Sequence, residues 1–207
     1  TDRAGILSGG NFHGEPLALP LEYAQGALAE LATISERRLD RVLNPLVQEG
    51  HLPAFLASEP GVESGYMLAQ YTSAAVATEA RSLGRPSLDN VTVSGNQEDH
   101  VSMSAESALR ALETLEAVRR AIAAELLCGV EASRHLPVEL ELGEGTAAVA
   151  AAVEDAVPRI EGDHPVGPRL EAVAELIDDG GLEEAIEVAL GAPLEATRLP
   201  ARAGAYR

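Results

Sequence analysis

Two short segments gather the residues best able to do chemistry. Ser8-Gly-Gly-Asn-Phe-His-Gly-Glu-Pro16 sets three glycines and the polar Asn11, His13 and Glu15 around Phe12. Glycine lets a backbone bend or approach a neighbour closely. The segment therefore reads as a ligand-facing loop or as the lead-in to a helix, with Glu15 and Pro16 serving its first turn and dipole. Ser94-Gly-Asn-Gln-Glu-Asp-His-Val-Ser-Met103 places Asn96, Gln97, Glu98 and Asp99 in a row. These residues read as a helix start, with Ser94 capping toward Gln97 or Asn96 toward Asp99. A carboxylate at a helix N-terminus is held ionised by the dipole, which makes Glu98 or Asp99 an acceptor for a cationic or N–H-bearing ligand.

Other chemistries fall away. The chain contains no lysine, so the glycine pair Gly9 and Gly14, followed by Glu15, makes no phosphate-gripping loop. Gly143-Glu-Gly145 lacks the third glycine of a dinucleotide fingerprint. His13, His51, His100, His135 and His164 are never four apart, the spacing that puts two metal ligands on one helix face, so no metal site is expected. Cys128 follows Leu126 and Leu127 in an amphipathic run and reads as a small buried apolar residue.

The elements that must position these segments are helices. Leu21, Ala24, Leu28, Leu31, Ile34, Leu39 and Val42 recur at three-and-four spacing and predict a helix over Leu17 to Leu43, closed by Asn44-Pro45. Residues 45–63 form a connection punctuated by Gly50, Pro53, Pro60 and Gly61. A second helix is expected from Ser64 to Leu83. Its small residues (Ala69, Ser73, Ala74, Ala75, Ala77, Thr78) let neighbours approach closely, and Gly84-Arg85-Pro86 stops it. The longest helix is expected from the Ser94–Asp99 cap onward, with Val101, Ala105, Ala108, Leu109, Leu112, Leu115, Val118, Ile122 and Leu126 as its buried stripe. Beyond Arg134 come shorter helical pieces near 144–157, 168–177 and 182–190, a weak strand pattern at Val138 to Leu142, and a loose tail over the last fifteen residues. The class is all-α, a long-helix bundle in residues 1–135 with peripheral C-terminal helices in 136–207.

Composition narrows the partners. Thirty-three acidic residues against fifteen basic ones give 207 residues a net charge of −18. Such a chain is repelled by nucleic-acid phosphates and anionic membrane surfaces. No stretch approaches the roughly 20 apolar residues of a membrane-spanning helix, and no signal peptide opens the chain. One cysteine makes no internal disulfide, which fits a reducing, cytoplasmic setting. Acid excess, arginine in place of lysine and many small residues together suggest a halophilic protein, since concentrated salt screens the self-repulsion.

The two dense segments, with Ser64-Gly-Tyr-Met-Leu-Ala-Gln70 between them, resemble the histidine ammonia-lyase family. Ser35-Glu-Arg-Arg38 and Ala124-Glu-Leu-Leu127 fit the same pattern. The resemblance is strong over residues 5–135 and looser beyond. The spelling Gln97-Glu98-Asp99-His100 looks like the histidine-specific branch; the phenylalanine and tyrosine branches carry an amide where Glu98 stands.

The resemblance implies an all-α homotetramer that removes ammonia from L-histidine to give trans-urocanate. Its electrophile is a methylidene-imidazolone formed from an internal Ala-Ser-Gly, with no metal. Carried over residue by residue, Glu98 faces the imidazole, Met67 lines the side-chain end of the pocket, Phe12 lies near the electrophile, and Gln97 is an amide close to the substrate. Read without the resemblance, Met67 and Phe12 serve equally as packing and Gln97 as a cap.

The chain also departs from the family's pattern. It has no Ala-Ser-Gly: Ser8-Gly9 follows Leu7, Ser94-Gly95 follows Val93, and Ala57-Ser58 precedes Glu59. The electrophile, the catalytic tyrosine and the arginine expected to hold the substrate carboxylate therefore belong to an N-terminal portion outside this chain. The chain resembles the C-terminal part of such an enzyme and is expected to be inactive alone. Two other readings stay open: another methylidene-imidazolone lyase or aminomutase, and a non-catalytic helical interaction module derived from that fold.

Overall fold

A computed structural model describes residues 5, 9–10, 12–88, 91–136 and 141–194. Six α-helices carry the described residues, and no strand occurs among them: α1 Glu15–Leu43, α2 Met67–Ser82, α3 Ser104–Ser133, α4 Glu144–Ala156, α5 Gly167–Asp178 and α6 Gly181–Leu190. Short 3₁₀ turns lie at Ala54–Leu56, Pro86–Leu88 and Ser94–Asn96. The all-α expectation holds. The weak strand pattern at 138–142 and the C-terminal tail fall largely outside the described residues. No described helix is long and apolar enough to cross a membrane.

Helix α1 stops where expected, at Leu43, and starts two residues earlier than the Leu17 expected, at Glu15. Pro16 sits in the first turn, where its missing N–H is no loss, beside the dipole-favoured Glu15. The Asn44 side chain accepts the Leu46 N–H at 3.0 Å and turns the chain just past Leu43.

The chain divides into two compact units, Thr1–Arg41 with Ala69–Glu125, and Val42–Leu68 with Leu126–Arg207. The first is a seam of small residues. Ala29 and Ala32 of α1, Val76, Ala77 and Ala80 of α2, and Ala117, Val118 and Ala121 of α3 form its core. Such side chains hold helix backbones close enough for the Ser35 hydroxyl on α1 to donate to the Ala121 carbonyl on α3 at 3.0 Å.

The small-residue reading of α2 is met on one face, since Ala69, Ser73, Val76, Ala77 and Ala80 are buried while Tyr71 is exposed. The expected buried stripe of α3 is met at Val118, and at Ile122, which packs against the core, but not along its first half. Leu109, Leu112 and Leu115 face outward, Leu112 at 62% exposure, while Ser107, Thr114, Ala117, Val118 and Ala121 face the core. On α1, Leu31 and Ile34 are likewise exposed, and Ala18, Glu22, Gln25, Ala29, Ala32 and Ser35 are buried. Close helix approach selects small side chains and displaces the large apolar ones to the opposite face.

In the second unit α4, α5 and α6 pack on one another, α4 chiefly on α6. Leu127, Cys128, Val153, Val157, Val166, Val173 and Ala174 are buried. Cys128 is fully buried, as expected, and burial pushes its thiol far above the ordinary range. The connection 44–63 is tied by Gln48, whose side chain donates to the Leu52 carbonyl at 2.7 Å and accepts the Leu52 N–H.

Candidate functional site

Helix α3 begins at Ser104, not at the Ser94–Asp99 cap expected from sequence. Instead, Val93 and Glu98 exchange two backbone hydrogen bonds, the Val93 N–H to the Glu98 carbonyl at 3.0 Å and the Glu98 N–H to the Val93 carbonyl at 3.3 Å. The turn between them holds Ser94, Gly95 and Asn96 at φ of 56°, 64° and 69°. Three successive left-handed residues cannot start a right-handed helix. Gly95 meets that geometry without cost, and asparagine is among the side chains that tolerate it. The dipole argument for Glu98 and Asp99 therefore does not apply. What the turn does is present Gln97 and Glu98 to solvent on a pinned backbone, both exposed.

Helix α1's lead-in loop is clasped to this segment. The Glu15 N–H donates to His13 Nδ1 at 3.2 Å, so that nitrogen is the acceptor, and Nε2 carries the proton it gives to the His100 carbonyl at 3.0 Å. The His100 ring meets the Glu15 carboxylate at 3.1 Å and tilts against the His13 ring at a centroid distance of 5.7 Å. Gly14 is the close-approach glycine: a Cβ there would lie 2.2 Å from Ser104 Oγ. The first and third motifs, joined by residues 87 positions apart, are thus one local structure. Phe12 stands at its edge, 88% exposed. Ser8 and Asn11 of the first motif lie outside the described residues.

A buried carboxylate brackets the loop that carries Glu98. Glu22 on α1, 2% exposed, accepts the Ser87 N–H at 2.8 Å, the Ser87 hydroxyl at 2.7 Å and the Ser107 hydroxyl at 2.8 Å. Burial alone would raise its pKa. The Ser87 and Ser107 hydrogen bonds, with the charge of Arg85, outweigh burial and hold it below the ordinary carboxylate value. Sequence reasoning missed Glu22, because nothing local in Leu21-Glu22-Tyr23 reveals partners 65 and 85 positions away.

Met67 opens α2 in the second unit and lines a recess of about 290 Å³ with Ala54, Phe55, Gly61, Glu63 and Ser64. The backbone around it is strained, with Phe55 and Leu56 both at φ 55° and Gly65 at 54°. Gly65 admits no side chain there, since a Cβ would meet the Phe55 carbonyl oxygen at 2.5 Å. The Asp163 carboxylate accepts the Ser64 and Gly65 N–H groups at 3.0 and 2.9 Å, and those two bonds hold its pKa below the ordinary range.

Next to Met67, Tyr66 is 3% exposed, lies edge-on to His164 and donates to Glu131 at 3.4 Å. Burial, then the Glu131 charge, pushes its phenol up to about 12. A separate recess of about 230 Å³ in the first unit, lined by Gln25, Gly26, Glu30, Arg81 and Arg85, holds none of the motif residues. Among the described residues no group of three His, Cys, Asp or Glu side chains is arranged to hold a metal ion.

The family model for aromatic amino acid lyases matches residues 1–155, and the chain belongs to that family. Within it, the chain is similar to the C-terminal portion of histidine ammonia-lyase. The probable histidine ammonia-lyase of Halobacterium salinarum is 51% identical over 194 residues, 94% of this chain and 37% of that protein. The histidine ammonia-lyase of Symbiobacterium thermophilum is 45% identical over 92% of this chain and 37% of its own length. Among solved structures, histidine ammonia-lyase from Trypanosoma cruzi superposes with a TM-score of 0.83 at 35% identity, covering 93% of this chain and 37% of that one. Tyrosine aminomutase from Streptomyces globisporus gives 0.86 at 32% identity, covering 91% and 36%. The chain thus spans little more than a third of the curated relatives it matches.

Proposed function

We propose that this chain works as the C-terminal portion of a histidine ammonia-lyase, in the non-oxidative deamination of L-histidine to trans-urocanate and ammonia. The similarity to histidine ammonia-lyases over more than nine-tenths of the chain carries this reading. Glu98, Gln97, Phe12 and Met67 each contribute to a substrate pocket of the assembled enzyme. The Glu98 carboxylate accepts an imidazole N–H, a charge-assisted bond that is stronger where water is excluded. Gln97, on the same pinned turn, offers an amide to the substrate. Met67 gives soft apolar contact to the side-chain end.

The methylidene-imidazolone, when present, supplies the electrophile that takes the substrate amine. No Ala-Ser-Gly exists here to form it, so it belongs to residues outside this chain. Phe12, exposed on its loop, is open to contact from such a neighbour. Residues 1–135 belong to the central bundle of the enzyme and 136–207 to its periphery. Assembly is with the N-terminal portion, as a homotetramer in the cytoplasm. The exposed Leu109, Leu112 and Leu115 support burial of that face in an assembly. The acid excess and the Halobacterium relative support a halophilic setting.

The test is to combine the chain with an N-terminal portion that carries a formed electrophile and to follow urocanate by its ultraviolet absorbance. Urocanate produced by the mixture, and by neither part alone, is the expected result; an inert mixture with an intact electrophile refutes it. A second reading, an aminomutase of the same family, is favoured by the superposition on tyrosine aminomutase. It predicts a β-amino acid from tyrosine and no urocanate from histidine.

A further inference from the structure

The turn that presents Met67 is fixed by a carboxylate nearly a hundred residues away. All four backbone N–H groups of Ser64 to Met67 have partners. Ser64 and Gly65 donate to Asp163 at 3.0 and 2.9 Å, Tyr66 to the Phe55 carbonyl at 2.9 Å, and Met67 to the Ser64 carbonyl at 3.2 Å. The last two are local. The first two are made to the 158–167 connection and are the ones a single side chain there controls.

The turn also needs outside support. Gly65 is left-handed, the facing Phe55 and Leu56 are left-handed without being glycine, and such backbone persists only where its surroundings over-determine it. Asp163 is itself placed from both sides. Gly162 before it is at φ 74° and its carbonyl engages His164 Nδ1 at 2.9 Å. The His164 ring then packs edge-on to Tyr66, 5.6 Å between centroids. Further on, the buried Arg169 donates to the Pro158 and Val157 carbonyls at 2.7 and 3.3 Å and closes the connection on itself.

We infer that Asp163 is a positioning residue for substrate: by holding the Ser64–Gly65 backbone it sets where Met67 stands in the recess it lines. This rests on the reading of Met67 as a pocket residue. A part of the chain expected to be peripheral thereby acts on the side-chain end of the substrate pocket.

The experiment is done in the assembled enzyme, with L-histidine as the varied substrate. Asp163→Ala removes both acceptor oxygens, and KM is expected to rise about tenfold while kcat changes less than about threefold and the melting temperature stays near the parent's. Asp163→Asn keeps one acceptor and recovers most of the lost KM. Met67→Ala, measured alongside, also raises KM. An unchanged KM in Asp163→Ala, with a raised KM in Met67→Ala, overturns the inference and leaves the pocket reading standing. An unchanged KM in Met67→Ala overturns both. A fall in kcat that tracks a fall in melting temperature, with no recovery in Asp163→Asn, overturns the inference in favour of a purely structural role. If Asp163→Ala does not assemble, Asp163→Glu, which displaces the same oxygens by one methylene, decides on the same KM criterion.

Discussion

Replacing Glu22 should loosen the loop of Glu98 and remove part of the protein's acid sensitivity. The carboxylate is 2% exposed and accepts three hydrogen bonds, two from Ser87 at the start of residues 87–107 and one from Ser107 at their end. Hydrogen bonds to a charged acceptor contribute about 1.5–3 kcal/mol each and neutral ones about 0.5–1.5, so neutralising the acceptor forfeits about 1 kcal/mol per bond. Relief of the buried charge returns part of that, because an amide is cheaper to bury than a carboxylate. The net cost of Glu22→Gln is then about 1–2 kcal/mol, a fall of about 3–6 °C in melting temperature for a chain of this size. Glu22→Ala also orphans the buried Ser87 N–H and leaves a void, while the Ser107 hydroxyl can turn its one proton to the Met103 carbonyl, 3.1 Å away; about 3 kcal/mol is expected.

The pH dependence has a definite sign. The folded pKa of Glu22 lies below its ordinary value of 4.5, so the stabilisation is fully present above that value and is lost as pH falls through the folded pKa. Thermal unfolding followed by circular dichroism at fixed salt, at neutral pH and stepwise into acid, measures both effects. A Glu22→Gln variant as stable as the parent, or one whose stability falls with acid as steeply as the parent's, refutes the reasoning.

Glu98→Gln should cut kcat/KM for L-histidine by about 100-fold through loss of a charge-assisted bond. Because Glu98 is exposed and its fold contacts are backbone ones, its melting temperature should stay within about 2 °C; activity lost in step with stability contradicts the assignment. Tyr66, one of four tyrosines, should ionise at about 12, seen as a late phase of tyrosinate absorbance that Tyr66→Phe abolishes. Its raised pKa means that this part of the stability holds below about 10 and is lost as pH climbs toward about 12. With a net charge of −18, melting temperature should rise markedly between low salt and about 1 M, where the Debye length is about 3 Å; equal stability in both removes the halophilic reading.

Much of the helix inventory was legible because its signals are local. Asn44-Pro45 and Gly84-Arg85-Pro86 end helices through their own backbone chemistry, and α1 and α2 stop at Leu43 and Ser82 accordingly. Burial was less legible. Periodicity says that a face is apolar and not what covers it, so Leu109, Leu112 and Leu115 read as core while Ala117 and Ala121 fill it. The start of α3 at Ser104 differs from the expected cap because the polar run at 94–99 satisfies a cap pattern and a left-handed turn equally well; only the Val93–Glu98 pairing decides between them. The candidates Glu98, Gln97, Met67 and Phe12 rest on their motifs alone, and the carboxylates that hold the segments of Glu98 and Met67, Glu22 and Asp163, have no local signal in the sequence.

Those two supports share a physical logic. In a chain with 33 acidic residues, most carboxylates are a solvated background. Glu22 and Asp163 stand apart because each accepts backbone N–H from a distant loop, one at Glu22 and two at Asp163, and those bonds help depress each pKa. A loop cannot supply its own acceptors for N–H groups that point away from it. A carboxylate elsewhere in the chain can satisfy them and fix the loop at the same time. Glu22 does this for the segment that carries Glu98, and Asp163 for the turn that carries Met67. The charge pattern of the sequence conceals both, since an acidic surface makes a structural acid look ordinary. They become visible only when each buried or turn-forming N–H is traced to its acceptor.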